Sequence, residues 1–107
     1  MRPTSRLLQA CRITLFTRAN CGLCTEARSV LSEVWDSRPF QFKEVDIIKS
    51  DTMPPWRDLY EFDVPVIHIS KSSAPEEHPQ SVSKAARIMH RFTAEQVKAK
   101  MDAVEKS

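Results

Sequence analysis

Glycine is almost absent from this chain. Average usage of about 7% would give about seven glycines in a protein of this length, but the 107 residues contain one, Gly22. No stretch approaches the ~20 consecutive apolar residues of a membrane span, and three cysteines are too few for a disulfide-dense mini-protein. Acidic and basic side chains nearly balance, with a net charge of +2, so charge indicates neither a nucleic-acid nor a membrane partner. We therefore expect one globular domain.

The single glycine lies between two cysteines, in the segment Cys21-Gly22-Leu23-Cys24. Cysteines three residues apart are typical of a redox or metal site rather than of a structural disulfide, and such thiols indicate a reducing compartment. We expect the cytoplasm, with the mitochondrion as the alternative. The alternative comes from the first 11 residues, which contain Arg2 and Arg6 and no acidic side chain.

Hydrophobic periodicity predicts alternating strands and helices after a short basic tail over residues 1–11. The predicted strands are residues 12–17, 40–47, 66–69 and 87–91, and the predicted helices begin after Cys21, over residues 51–62, and at Thr93. Residues 71–84, rich in polar side chains and proline, are predicted to be a loop inserted in the domain formed by residues 12–107. The order β-α-β-α-β-β-α is typical of an α/β fold with a four-stranded mixed sheet flanked by helices on both faces.

Helical spacing also predicts which side chains are buried. The apolar stripe of the first helix comprises Cys24, Ala27, Val30, Leu31, Val34 and Trp35, and that of the second comprises Trp56, Leu59, Tyr60 and Phe62. We expect Trp56 and Tyr60 to belong to the core rather than to a cleft, and His68 in the third strand to be packed rather than catalytic. Cys11 is expected to precede the first strand as an unreactive thiol.

The first cysteine of the motif falls where the first predicted strand gives way to the first helix. The opening amides of a helix lack intrahelical partners and carry partial positive charge, so a thiolate at Cys21 is stabilised and its pKa can fall from ~8.5 to roughly 3.5–7.5. Arg18, three residues before Cys21, adds positive charge near the sulfur if its side chain turns back towards the motif. Cys24 lies one turn further on, with Cβ atoms ~5–6 Å apart, close enough for a disulfide after modest closure. Gly22 removes a side chain beside the nucleophile, which lets the backbone of another molecule approach.

Two other interpretations of the cysteine pair stay open. A C-x-x-C pair can form half of a structural zinc site, but the remaining donors, Cys11, His68, His78 and His90, provide no second pair at suitable spacing. The other alternative is that both cysteines are inert residues of the helix. This alternative explains neither the glycine between them nor the placement of Cys21 where the strand gives way to the helix. We favour redox chemistry and predict no metal site.

The dipeptide Val64-Pro65 precedes the third predicted strand. Proline lacks the N–H of other strand residues and suits a strand start. From the residues alone a trans bond is expected, because only ~5–6% of X–Pro bonds are cis in folded proteins. A cis bond would turn the preceding peptide group outward, where an extended substrate can pair with it.

Over residues 12–106 the chain resembles the glutaredoxin family of the thioredoxin fold. The resemblance rests on the strand 13–17, on Arg18-Ala19-Asn20-Cys21-Gly22-Leu23-Cys24 and on Asp63-Val64-Pro65-Val66-Ile67, and it is closest to a divergent glutaredoxin-like subfamily. It implies a thioredoxin fold, a cis Pro65 that faces the cysteines, Cys21 as nucleophile, Cys24 as resolving thiol and Arg18 as the basic residue before the motif. The candidate substrate-binding residues are Arg18, Asn20, Gly22, Val64 and Pro65.

Two features depart from the family pattern. The motif combines the glycine of single-thiol relatives, C-G-F-S, with both cysteines of the dithiol type, C-P-Y-C. The Gly-Gly pair that helps hold glutathione before the last helix is absent, and the segment there is His90-Arg91-Phe92-Thr93. We therefore predict no tightly bound cofactor, and glutathione enters only as a candidate reductant or substrate.

The sequence thus predicts a thiol–disulfide oxidoreductase that reduces protein or glutathione mixed disulfides through Cys21 and Cys24. Its expected partner is a disulfide-containing protein or glutathione, and we expect a monomer that binds neither nucleic acid nor a membrane. Two alternatives stay open. One is a non-catalytic adaptor or redox sensor with the same fold, and the other is a carrier in which Cys21 of two chains and two glutathiones hold a [2Fe–2S] cluster.

Overall fold

A computed structural model of the chain describes residues 10–48, 54–75 and 86–106. Most of the predicted tail, residues 51–53 of the second predicted helix and residues 76–84 of the predicted insertion lie outside the described residues. Within them the elements follow the predicted order: β1 (Cys11–Thr17), α1 (Gly22–Ser37), β2 (Gln41–Asp46), α2 (Pro54–Tyr60), β3 (Val66–Lys71), β4 (Ala86–Met89) and α3 (Ala94–Lys106).

The four strands form one mixed sheet in the order β2-β1-β3-β4. β1 pairs parallel with β2 because α1 carries the chain back to the opposite end of the sheet. β1 pairs antiparallel with β3, which in turn pairs antiparallel with β4. The predicted four-stranded mixed sheet is confirmed.

Neighbouring residues of β1 contribute to two different hydrophobic cores, because successive side chains of a strand point to opposite faces. Ile13 and Leu15 pack with residues of α1 and α3 on one face, and Phe16 packs with Trp56 and Tyr60 of α2 on the other. Helices therefore cover both faces, as predicted. Every residue of β1 is buried, so the strand that leads into the cysteine motif is held firmly from both sides.

The end of α1 and the start of α3 have local causes in the sequence. α1 ends at Ser37, directly before Arg38 and Pro39. α3 begins with a capping box, in which the Gln96 amide donates to Thr93 Oγ1 at 3.2 Å and the Thr93 amide donates to Gln96 Oε1 at 2.8 Å. None of the helices in the described ranges has the length and apolarity needed to cross a membrane.

Three side chains that were predicted to be buried are exposed. Trp35 is 42% exposed, Leu59 36% and Phe62 89%. α2 is only seven residues long, so its inner face consists of Trp56 and Tyr60, while Phe62 lies beyond the end of the helix. Trp35 lies at the edge of the α1 stripe, where its indole N–H donates to the Phe40 carbonyl at 3.1 Å.

Cys11 is the first residue of β1, and its side chain is fully buried. The prediction that it precedes the strand is wrong, because β3 extends far enough for Lys71 to pair with it. The Cys11 thiol donates to the Glu105 carboxylate at 3.3 Å. Burial, reinforced by this carboxylate, raises the pKa of the Cys11 thiol to about 12, so the group stays protonated at neutral pH.

The raised pKa of Cys11 predicts a loss of stability in alkaline solution. The unfolded chain releases the Cys11 proton above about pH 9, whereas the folded chain retains it up to about pH 12. The stabilising contribution is therefore complete below about pH 9 and is lost as the pH rises towards 12. Relative to Cys11→Ala, wild type should lose up to about 1.4 kcal/mol of unfolding free energy per pH unit in that window. Urea titrations of the two oxidised proteins measure this difference, and parallel pH profiles would contradict the prediction.

Arg38 joins the end of α1 to α3. Its guanidinium forms ion pairs with Asp102 at 2.7 Å and Glu105 at 2.8 Å, and it donates to the Lys98 carbonyl at 3.4 Å. The hydrogen bond from Arg38 holds the pKa of Glu105 below its usual value. α1 is thus anchored at its C-terminal end, opposite the end that carries the cysteines.

Candidate functional site

Cys21 lies at the N-terminus of α1, four residues after the end of β1. It is the N-cap residue, with φ −111° and ψ 106°, and its sulfur accepts a hydrogen bond from the Cys24 amide at 3.1 Å. The first turn of α1 contains no acidic side chain. The sulfur therefore faces the positive end of the helix without a competing negative charge in that turn, which favours an anion at this position.

The second sulfur of the motif is within bonding reach of the first. The Cα atoms of Cys21 and Cys24 are 5.2 Å apart, and the two sulfurs form a disulfide. Cys24 is fully buried, whereas Cys21 is partly exposed. A molecule that approaches from solvent can therefore reach Cys21 and not Cys24.

Gly22 leaves open space beside Cys21. A Cβ atom added at Gly22 would meet no other atom within 4 Å, and its φ is not in the left-handed region. Neither packing nor backbone geometry within the described residues requires glycine here. The predicted reason for Gly22, which is access to the neighbouring sulfur, stays a prediction.

A shallow depression of about 360 Å³ surrounds Cys21, which we call the cysteine depression. Its lining residues come from the β1–α1 connection and the outer face of α1: Arg18, Ala19, Asn20, Cys21, Gly22, Thr25 and Arg28. Asn20 adopts a left-handed backbone conformation with φ 60°, which asparagine tolerates better than most residues. This turn lets the chain reverse between β1 and α1 and places the Asn20 side chain on the rim.

Arg18 lines the cysteine depression but its side chain has a definite partner. Its guanidinium donates to the Glu61 carbonyl at 3.0 Å, which connects the residues before the motif to the turn that follows α2. The sequence left open whether Arg18 turns back or extends into solvent. The observed contact fixes its positive charge at the side of the depression nearer that turn.

The peptide bond between Val64 and Pro65 is cis. The resemblance implies this isomer, whereas reasoning from the residues alone favours trans, so the resemblance is confirmed on this point. Pro65 is buried, and its carbonyl accepts the His90 amide at 2.7 Å. This hydrogen bond ties the start of β3 to the segment that leads into α3.

Sequence reasoning missed the backbone conformation of His90 and the position of Arg28 beside the motif. His90 has φ 67°, so the left-handed conformation is present in the segment where the family has Gly-Gly, although no glycine marks it. His90 lines a second hollow, of about 260 Å³, together with Leu23 of the motif. No local sequence pattern predicts a left-handed backbone at a histidine, because few residues other than glycine adopt positive φ.

Arg28 could have been found from helical spacing, because it lies seven residues after Cys21 on the same face of α1. Its guanidinium donates three hydrogen bonds to the Glu44 carboxylate of β2, the shortest at 2.7 Å. Thr17 also donates to that carboxylate, at 3.1 Å. The hydrogen bond from Arg28 keeps the pKa of Glu44 below its usual value, so the pair is charged at neutral pH. Of the two residues, Arg28 lines the cysteine depression.

The other side chains singled out in the sequence lie in the core. His68 is buried and lies 2.6 Å from the Tyr60 hydroxyl, as expected for a packed histidine. Trp56 and Tyr60 stack with ring centroids 5.8 Å apart, which confirms their prediction as core residues. Among the residues that the structure describes, no group of three or more His, Cys, Asp or Glu side chains is placed to hold a metal ion.

Comparison with known proteins agrees with this geometry. A family model described as Glutaredoxin-like domain (DUF836) matches residues 12–102. Thioredoxin O2 from Arabidopsis thaliana, in its oxidised state, is 20% identical over 94% of this chain and 80% of its own, with a TM-score of 0.60. Chloroplastic thioredoxin z is 18% identical over 97% of this chain and 86% of its own, with a TM-score of 0.65. An uncharacterised thioredoxin-like protein from Clostridium perfringens is 13% identical over 89% of this chain and 71% of its own, also with a TM-score of 0.65. At these identities the structural likeness establishes the thioredoxin fold.

Proposed function

Because the chain belongs to the family of the Glutaredoxin-like domain (DUF836), we propose that it is a thiol–disulfide oxidoreductase that works through Cys21 and Cys24. The observation that carries this proposal is the unequal exposure of two sulfurs at bonding distance. The partly exposed Cys21 can react with an external disulfide, and the buried Cys24 can react only with Cys21. Cys21 is accordingly the nucleophile and Cys24 the resolving thiol.

The reduction of a substrate disulfide takes two steps. The Cys21 thiolate attacks one substrate sulfur, the substrate S–S bond breaks, and the departing substrate thiolate takes a proton from water. Cys24 gives its proton to solvent and attacks the Cys21 sulfur, which forms the internal disulfide and releases the second substrate thiol. The substrate gains two electrons and the protein loses two. An external dithiol, or two thiols such as those of glutathione, returns the two electrons.

The surroundings of Cys21 support its role as an anion. The Cys24 amide donates to its sulfur at 3.1 Å, and hydrogen bonds to the charged form of a group favour that form. The first turn of α1 adds no negative charge, and Arg18 adds a positive charge to the rim of the same depression. Each of these contributions increases the fraction of Cys21 that is ready to attack at neutral pH.

We assign substrate binding to the groups around the cysteine depression. Gly22 leaves room for the substrate backbone, while Asn20 and Arg18 offer hydrogen-bond donors at the rim. Val64 and Pro65 are not among the residues that line the depression, and we assign them to substrate binding because the cis bond between them would turn the preceding peptide group outward, where an extended substrate can pair with it. These features suit the backbone of a protein substrate.

We assign glutathione the role of electron donor rather than bound cofactor. The segment that holds glutathione in the family by a Gly-Gly pair contains His90 here, with the backbone left-handed but with an exposed imidazole on it. This side chain lies in the wall of the hollow beside Leu23 and narrows the space that two glycines would leave. A disulfide-containing protein is therefore the proposed substrate.

Multiple turnover distinguishes an oxidoreductase from a redox sensor or adaptor. With excess dithiothreitol as electron donor, catalytic amounts of the protein should accelerate the reduction of insulin, measured as turbidity from the released chain. Stoichiometric oxidation of Cys21 and Cys24, with no acceleration over dithiothreitol alone, would reject the enzyme and favour the sensor. A parallel assay with glutathione, glutathione reductase and NADPH, and with bis(2-hydroxyethyl) disulfide as substrate, tests glutathione as the donor.

A further inference from the structure

An apolar groove between α1 and β2 has no part in the chemistry described above. It has a volume of about 320 Å³, and we call it the α1–β2 groove; its lining residues are Arg28, Leu31, Ser32, Trp35, Phe40, Phe42 and Glu44. Trp35 and Phe42 are 42% and 49% exposed, although both are large apolar side chains. Phe40 is buried beneath them, with its ring centroid 6.3 Å from that of Phe42. Two half-exposed aromatic rings over a packed aromatic floor are typical of a surface that accepts an apolar side chain.

The α1–β2 groove adjoins the cysteine depression. Arg28 lines both of them, and its ion pair with Glu44 forms the boundary between the two. The Thr17 hydroxyl, at the end of β1, holds the same carboxylate. A molecule bound at Cys21 therefore needs only to pass this ion pair to reach Phe42 and Trp35.

The backbone of β2 indicates what kind of molecule fits. β2 is an edge strand, since β1 is its only neighbour among the described strands. The outer edge of such a strand presents N–H and C=O groups that pair with another extended polypeptide. A second copy of this chain fits less well, because centred antiparallel pairing of β2 with itself would place Lys43 opposite Lys43, or Glu44 opposite Glu44. Like charges in directly opposite positions are destabilising.

Two distances along the structure set the spacing of such a ligand. From Gly22 to Leu31 the helix rises about 14 Å at 1.5 Å per residue, and from Asp46 back to Phe42 the strand covers about 13 Å at 3.3 Å per residue. An extended polypeptide crosses the same distance in about four residues. Glutathione, a tripeptide with a central cysteine, is too short to reach.

We propose that the α1–β2 groove is a specificity site for the protein substrate, in which an apolar side chain about four residues from the reactive substrate cysteine binds between Trp35 and Phe42. The segment between that side chain and the cysteine lies extended along the outer edge of β2, on the side away from β1. The inference rests on the proposed function, because it takes the substrate to be a polypeptide disulfide. The α1–β2 groove gives the protein a preference among polypeptide disulfides that the cysteine motif alone does not supply.

Paired peptides test the proposal. Each peptide carries one cysteine as a mixed disulfide with a coloured thiol, and leucine or serine four residues away on its N- or C-terminal side. Reduced wild type should react with the leucine peptide of one orientation about tenfold faster, in kcat/KM, than with its serine partner. Trp35→Ser and Phe42→Ser should remove this preference and leave reaction with bis(2-hydroxyethyl) disulfide unchanged. Leu59→Ser, which removes an exposed apolar side chain of α2 instead, is the matched control and should retain the preference.

The outcomes separate this proposal from the proposed function. Equal rates for leucine and serine peptides in wild type, or a preference that survives in Phe42→Ser, would overturn the specificity site even if turnover is normal. A shift of wild type, but not Phe42→Ser, to a dimer in sedimentation would assign the groove to contacts between copies and also overturn it. Binding is measured independently, as the fluorescence change of Trp35 when the oxidised protein is titrated with peptides whose cysteine is alanine. A response to the leucine peptide alone supports the site even in a protein without turnover.

Discussion

Replacing Cys21 with serine is expected to abolish disulfide reduction, lowering turnover on the order of a thousandfold or more. Cys21 is the exposed member of the pair, and a serine hydroxyl remains protonated and a poor nucleophile where a thiolate is stabilised. Cys24 cannot take over, because its side chain is fully buried. The insulin assay measures the loss, and circular dichroism checks that the variant is folded. Activity of Cys21→Ser close to that of wild type would refute the assignment of the nucleophile.

The matched variant Cys24→Ser makes the same sulfur-to-oxygen change three residues later and should behave differently. Cys21 still attacks the substrate, but the mixed disulfide then lacks its resolving thiol. A covalent adduct of the variant with the substrate should accumulate, visible by mass spectrometry under non-reducing conditions and lost on adding dithiothreitol. An adduct on Cys21→Ser, and none on Cys24→Ser, would show that the two roles are reversed.

Replacing Phe16 with alanine is expected to cost about 3–5 kcal/mol of unfolding free energy, a large part of the total stability of a domain this size. Phe16 is fully buried in β1, and its ring centroid lies 4.5 Å from that of Trp56, 4.8 Å from His68 and 5.3 Å from Tyr60. Deleting the ring leaves a cavity that these bulky neighbours, held by the sheet and α2, fill only in part.

Phe42→Ala is the matched control for this effect. It makes the same substitution in the neighbouring strand β2, where the ring is 49% exposed, so the loss should be about 1 kcal/mol or less. Urea unfolding of both variants gives the comparison. Similar losses at the two sites would mean that the aromatic cluster around Phe16 does not stabilise the fold as its packing indicates.

The order of the elements and the placement of the cysteine motif follow from local patterns. The β-branched and aromatic residues of β1, the apolar stripe of α1 and the capping box at Thr93 are each local in sequence, so the sequence predicts these elements well. The position of Cys21 at a helix start follows from the same information. These elements are sufficient to bring one sulfur to the surface and another behind it.

Features that depend on distant neighbours could not be predicted in this way. Exposure of Trp35 and Phe62 depends on which elements cover them, and no local pattern states that β2 is an edge strand or that α2 ends at Tyr60. Burial of Cys11 similarly requires α3, more than 80 residues away in sequence. The cis bond at Pro65 opposes the local preference for trans, and only the family resemblance anticipates it.

Of the three cysteine thiols in the chain, the folded state offers only one to reagents. Cys11 and Cys24 are fully enclosed, while Cys21 opens to solvent. Once reduced, the native molecule should therefore take up one equivalent of a bulky thiol dye, and loss of native packing should raise the uptake to three equivalents. The number of reactive cysteines therefore reports whether the protein is folded.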